Sequence, residues 1–159
     1  SFATTVEREG LQRWLDNMDT APETRERLMS EINAQVARQE QFVALVQAAV
    51  ADLNILYASP LGETGKRRAK QERITQLRAD YETLKAQWQG YGGYDAWFAR
   101  DLNNAQLATV VTYNKLVPAF TAMLQQVNGD FPLFYQNVMQ LAQLDSLQRH
   151  QQLQALMPQ

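Results

Sequence analysis

Residues 22–57 read PETRERLMSEINAQVARQEQFVALVQAAVADLNILY. Ile32, Val36, Gln39, Val43, Val46, Val50, Leu53 and Tyr57 recur at alternating steps of four and three, the spacing of a heptad seam along one side of a helix. Asp19 and Thr20 offer capping oxygens ahead of this run, and Pro22 and Glu23 suit a first helical turn. At 1.5 Å per residue such a helix extends roughly 50 Å. The stretch SPLGETG, Ser59 to Gly65, carries a proline and two glycines and predicts a turn. Beyond it Ile74, Leu77, Tyr81, Leu84 and Trp88 repeat the three-four rhythm. Two seamed helices joined by a short turn predict an antiparallel coiled-coil hairpin over 22–90. Each buried seam residue contributes roughly 1.5–3 kcal/mol. Near the turn the match is uneven. Leu53, Ile55, Leu56 and Tyr57 face GKRRAKQER, so the apolar side of the first helix needs another neighbour.

The rest of the chain extends the helical pattern. Residues 1–15, SFATTVEREGLQRWL, predict an amphipathic helix from Phe2 to about Asn17, with Phe2, Val6, Trp14 and Leu15 near one face and Ser1 as a weak cap. Gly10 inside it costs roughly 1 kcal/mol against alanine and suggests close packing there. No turn, proline or targeting segment leads into this run, which predicts that the chain is the downstream piece of a longer polypeptide. QGYGGYD, residues 89–95, interrupts the pattern with three glycines. A broad apolar face then spans Leu107, Val110, Val111, Tyr113, Val117, Phe120 and Leu124. Pro118 removes one backbone bond within it and frees the carbonyl of Asn114, so the helix kinks or restarts. Asn128 and Gly129 end that helix, Asp130 caps the next, and Asp145 with Ser146 starts a last one. The expected architecture is all-α. It forms a single helical domain over 1–159, with 1–17, the hairpin 22–90 packed on a C-terminal bundle, and 94–159.

Composition bounds the chemistry. The chain of 159 residues has a formal net charge of −2, so no overall basic field draws it to nucleic acid. No uninterrupted apolar run approaches the roughly 18 residues of a membrane-spanning helix, and membrane contact is not expected from this segment. There is no cysteine and one histidine, His150, flanked by glutamines. A hydrolytic zinc centre needs three protein ligands, usually His or Glu, and an open position for water. No metal ligands and no cofactor are therefore assigned to this chain.

Several strings nevertheless agree with one family. SFATTVEREGLQRWL (1–15), LYAS (56–59), YDAWFARDLNNAQL (94–107), TYNKLVPAF (112–120) and FYQNVMQLAQL (134–144) resemble segments of a family of predicted bacterial zinc aminopeptidases, themselves similar to gluzincin metallopeptidases. In that family one helix carries HExxH and a later one carries a ligand glutamate in an N-E-S-F-A-like string. The resemblance places that glutamate immediately before Ser1. HExxH and the third ligand are both absent from this chain. The resemblance thus implies a zinc-dependent aminopeptidase whose catalytic segment and zinc lie upstream, with peptide as substrate and this region inert alone. It leaves compartment open, the bacterial envelope included, because any leader or lipid anchor would also lie upstream.

Site residues follow from the same likeness. Thr4 and Thr5, on the first turn of the ligand-bearing helix, would orient metal ligands. Asn103 and Asn104 would bind substrate backbone, each amide being both donor and acceptor. Tyr113 would donate a hydrogen bond to a tetrahedral oxyanion. Ordinary roles compete: solvent-facing threonines, an Asn103 cap and a Tyr113 packed in the core. GETGKRR is no phosphate loop, since its glycines are too close and Arg67 stands where Ser or Thr belongs. Lys66, Arg67, Arg68 and Lys70 form a basic cluster at the hairpin tip, for which a solvated helix start is the expected role. The rival to the enzyme reading is a non-catalytic helical scaffold or interaction module. A third is peripheral membrane contact through the tip.

Overall fold

The computed structural model describes residues 1–157. Every regular element among them is a helix: α1 (Phe2–Asp16), α2 (Pro22–Ala58), α3 (Glu63–Gln87), α4 (Asp95–Phe98), α5 (Asn104–Asn114), α6 (Val117–Gln126), α7 (Phe131–Gln143) and α8 (Ser146–Ala155). The all-α expectation holds. These helices group into two compact units, one from Thr20 to Val111 and one joining Ser1–Asp19 to the chain from Thr112 onward.

In the Thr20–Val111 unit, α2 and α3 run antiparallel. Lys66 Nζ donates to the Tyr57 carbonyl at 2.6 Å, Arg73 Nε to Asp52 at 2.8 Å, Trp88 Nε1 to Gln41 at 2.6 Å and the Tyr91 hydroxyl to Gln35 at 3.0 Å. Partners thus step backward along α2 as the chain advances along α3. The α3 seam is buried at Ile74, Leu77 and Tyr81, as the spacing predicts. The α2 seam is the expected one only in part: Val46 and Leu53 are buried, and Val43 and Val50 pack partly buried against the same core. Phe42 and Ala49 are the other fully buried residues, which widens the face toward them, and Tyr57 is exposed. Phe42 draws the face toward itself. Its ring stacks on Tyr94 at 4.2 Å and meets Trp97 edge-on at 5.1 Å, an aromatic partner set that no aliphatic heptad anticipates. The start of α2 also departs from expectation. Ala21 stands at the cap with no side-chain bond, and Pro22 alone sets the first turn.

The segment 89–95 locks the far end of the hairpin. Gln89 and Gly90 take φ of 57° and 84°, and the Gly90 N–H reaches the Lys85 carbonyl at 2.9 Å, closing α3 with a left-handed cap. A Cβ at Gly93 would run into the Tyr91 ring, and one at Gly92 would lie 2.5 Å from the Asp95 carboxylate. Asp95 is the knot: it accepts the Tyr81 hydroxyl at 2.5 Å and Lys85 Nζ at 2.7 and 2.8 Å. Lys85 and then Tyr81, by hydrogen bonding, hold the Asp95 carboxyl below its ordinary value. Burial, and then the bond to Asp95, push the Tyr81 phenol up. A depressed folded-state value stabilises the fold above the ordinary aspartate value, about 3.9, and that contribution disappears as pH falls through the folded value. The melting-temperature gap between the native chain and Asp95→Asn is therefore expected to be widest near neutrality. It should narrow in acid; a gap independent of pH would contradict this role.

The other unit is built on α1, α6, α7 and α8. Ala119, Phe120, Met123, Leu124, Phe134, Leu141 and Leu153 form its core. Phe2 stacks on Phe134 at 5.6 Å and meets Phe120 edge-on at 5.9 Å. Leu15 is fully buried, whereas Trp14, expected on the same face, is 57% exposed. Gly10 is not a close-packing site, since a Cβ there would meet nothing within 4 Å. The expected caps do form. Asn128 and Gly129 take φ of 52° and 76°, Asp130 accepts the Leu133 N–H at 2.9 Å, and Asp145 accepts the Gln148 N–H at 2.8 Å. Arg13 ties α1 to this turn by donating to the Gly129 carbonyl and lying 4.3 Å over the Phe131 ring.

By length and composition alone, two stretches are apolar enough to cross a membrane, contrary to the reading from uninterrupted runs. They are Pro22–Ala58, with a window of mean hydropathy 1.4, and Asn104–Gln126, at 1.2. The second is broken at Lys115–Leu116 into two helices too short to span.

Candidate functional site

Pro118 determines the local geometry around Tyr113. It cannot donate to the Asn114 carbonyl, so α5 stops at Asn114 and α6 restarts at Val117 with Pro118 in its first turn. In a continuous helix the Tyr113 carbonyl would accept from residue 117 and the Leu116 N–H would reach residue 112. Ser1 takes both places. Its hydroxyl donates to the Tyr113 carbonyl at 2.8 Å and accepts the Leu116 N–H at 3.3 Å. Ser1 is thus no side-chain cap for its own helix; it is the clasp that ties the start of α1 to the α5–α6 break.

Two expected site residues sit with it. Thr5 is 2% exposed and its hydroxyl donates to the Ser1 carbonyl at 3.3 Å, so it braces the residue that makes the clasp instead of facing solvent. Thr4 is half-buried on the same turn. Tyr113 is not packed in the core: it is 66% exposed. Ser1 therefore links Thr5 to the Tyr113 backbone, and the Tyr113 phenol projects into solvent.

Asn103 and Asn104 belong to the other unit and have structural partners. Asn103 Oδ1 accepts the Gln106 N–H at 3.1 Å while Gln106 Oε1 accepts the Asn103 N–H at 3.0 Å, a reciprocal capping box. Asn104 Oδ1 accepts the Tyr57 hydroxyl at 3.0 Å. Both residues are exposed.

The remaining chemistry is sparse. Among the described residues no three His, Cys, Asp or Glu side chains come close enough to hold a metal ion, and His150 is exposed on α8. The residues present do not fit a zinc centre. A cavity of about 450 Å³ between α6, α7 and α8 is lined by Gln126, Asn137, Gln140 and Gln152 over Met123 and leucines; it contains no acid, base or nucleophile. The Ser1 clasp was missed by reading the sequence, because a lone serine at a helix start signals a cap. Its other clue was Pro118, which frees backbone groups that some polar side chain must satisfy.

No curated protein and no solved structure matches the chain. A family model does, over residues 1–153, and its description is "Putative aminopeptidase". With the match running across nearly the whole length, the chain belongs to that aminopeptidase family.

Proposed function

We propose that this chain is the helical, substrate-facing part of a zinc-dependent aminopeptidase related to the gluzincins, whose metal ligands lie on polypeptide preceding Ser1. The observation that carries the reading is the clasp: Ser1 Oγ lies 2.8 Å from the Tyr113 carbonyl. If a ligand glutamate precedes Ser1, as the resemblance places it, the exposed Tyr113 stands beside the metal-bearing turn. A phenol there donates a hydrogen bond to the oxygen on which negative charge develops when a peptide carbonyl is attacked. Thr5 fixes the first turn from beneath, so that the ligand preceding Ser1 keeps its direction. Family membership supports the aminopeptidase class; zinc dependence and the division of labour are our inference.

The test compares the 159-residue chain with a polypeptide extended through its upstream sequence. Both are assayed for bound metal and for release of amino acids from aminoacyl anilides. Stoichiometric zinc and turnover are expected only in the extended form. Peptidase activity in the shorter chain, or an extended form that binds no zinc, would overturn the proposal and leave the helical scaffold reading.

A further inference from the structure

The tip of the α2–α3 hairpin joins two exposed features. One is apolar. Ile55, in the last turns of α2, is 71% exposed, and Leu61, in the turn itself, is 49% exposed. Ile55 belongs to a helix whose most apolar window has only 22% of its residues buried. The other is cationic. Lys66, Arg67, Arg68 and Lys70 stand against Glu63 and Glu72 in residues 59–72, an excess of positive charge in a chain of net charge −2.

Geometry brings the two together. Leu61 lies across the first turn of α3, where a Cβ at Gly65 would come 3.6 Å from its Cβ. Lys66 Nζ is held 2.6 Å from the Tyr57 carbonyl, which fixes a cation at the C-terminal end of α2. The arginines are only lightly engaged. Arg67–Glu63 at 2.9 Å and Arg68–Glu72 at 3.6 Å join side chains that are at least 69% exposed. Exposed pairs of this kind are weak, so a phosphate can take the guanidinium groups. Lys70 forms no ion pair among the described residues.

We infer that this tip docks on an anionic phospholipid surface. Leu61 and Ile55 would enter the boundary between headgroups and acyl chains, and Arg67, Arg68 and Lys70 would meet phosphates. Only residues 59–62 link α2 to α3, and a short apolar turn flanked by cations suits insertion between lipids better than it suits a protein partner, which requires a broad complementary face. Charge complementarity selects acidic over neutral lipid. The inference is independent of the aminopeptidase reading.

Flotation of the 159-residue chain with vesicles tests it, comparing phosphatidylcholine alone with a mixture containing phosphatidylglycerol. Binding is expected only to the mixture, weakening as salt rises. Each cation removed should weaken binding about fivefold, so Arg67→Glu with Arg68→Glu should weaken it more than twentyfold, by about the square of that factor. Both residues are exposed, so circular dichroism should show unchanged helix content. The chain has no cysteine, so Leu61→Cys accepts a single environment-sensitive dye. Its emission should rise and shift to the blue on anionic vesicles. No flotation, equal flotation on neutral vesicles, or a dye that stays in water would each overturn the inference. Binding to polyglutamate but not to vesicles would also overturn it and assign the tip to an acidic protein.

Discussion

Replacing Tyr113 with phenylalanine in the complete polypeptide is expected to lower kcat on aminoacyl anilides by about 10²–10³-fold, the usual cost of removing one oxyanion donor. KM should change little, because the hydrogen bond is strong only once charge has developed on the carbonyl oxygen. The substitution separates chemistry from stability cleanly. The Tyr113 ring is 66% exposed and its hydroxyl has no partner among the described residues, so the melting temperature should be unchanged. The Ser1 clasp uses the Tyr113 backbone carbonyl, which phenylalanine keeps, so the loop geometry also survives. Unchanged kcat in the presence of bound zinc would remove Tyr113 from the mechanism while leaving the family assignment intact.

What the sequence discloses follows from which forces are periodic. Helix positions were legible because proline, glycine and capping residues act locally: Pro22, Asn128–Gly129, Asp130 and Asp145 all mark boundaries that the structure keeps. Burial was legible on α3, where aliphatic spacing alone decides it. On α2 it was legible at Val46 and Leu53 but missed at Phe42, which takes its partners, Tyr94 and Trp97, from a segment some fifty residues on, and no window of local periodicity contains such a pairing. Tyr113 shows the reverse error. It lies on an apolar face in sequence, yet the break before Pro118 ends that face, and the phenol turns to solvent. The likeness of the family strings picked out Thr5 and Tyr113. The reason they stand together, a serine hydroxyl filling two backbone vacancies, is tertiary and had no signature beyond the proline.

Phe98→Ala is expected to be the most destabilising single change in the Thr20–Val111 unit. Phe98 is 5% exposed; its ring stacks on Tyr81 with centroids 4.0 Å apart and meets Trp97 edge-on at 4.7 Å. Truncating a buried phenylalanine costs about 3–5 kcal/mol, a large share of the 5–15 kcal/mol by which a typical domain is stable. The loss should be at the upper end here. Tyr81 would lose its stacking partner while its hydroxyl stays tied to Asp95 at 2.5 Å, so the ring cannot swing to fill the space. Phe98→Leu keeps most of the volume and should cost about 1.5 kcal/mol or less. The backbone of α4 supplies an internal control. Arg78 donates to the Phe98 and Arg100 carbonyls at 3.2 and 3.0 Å, contacts that neither substitution removes. Amide exchange should therefore quicken first in 89–95, whose glycines are held by the aromatic cluster, and only later in α3. Urea denaturation with both variants checks the ranking. A midpoint for Phe98→Ala close to that of the unchanged chain would mean that the buried ring, and with it the account of how α4 is fastened to the hairpin, contributes little.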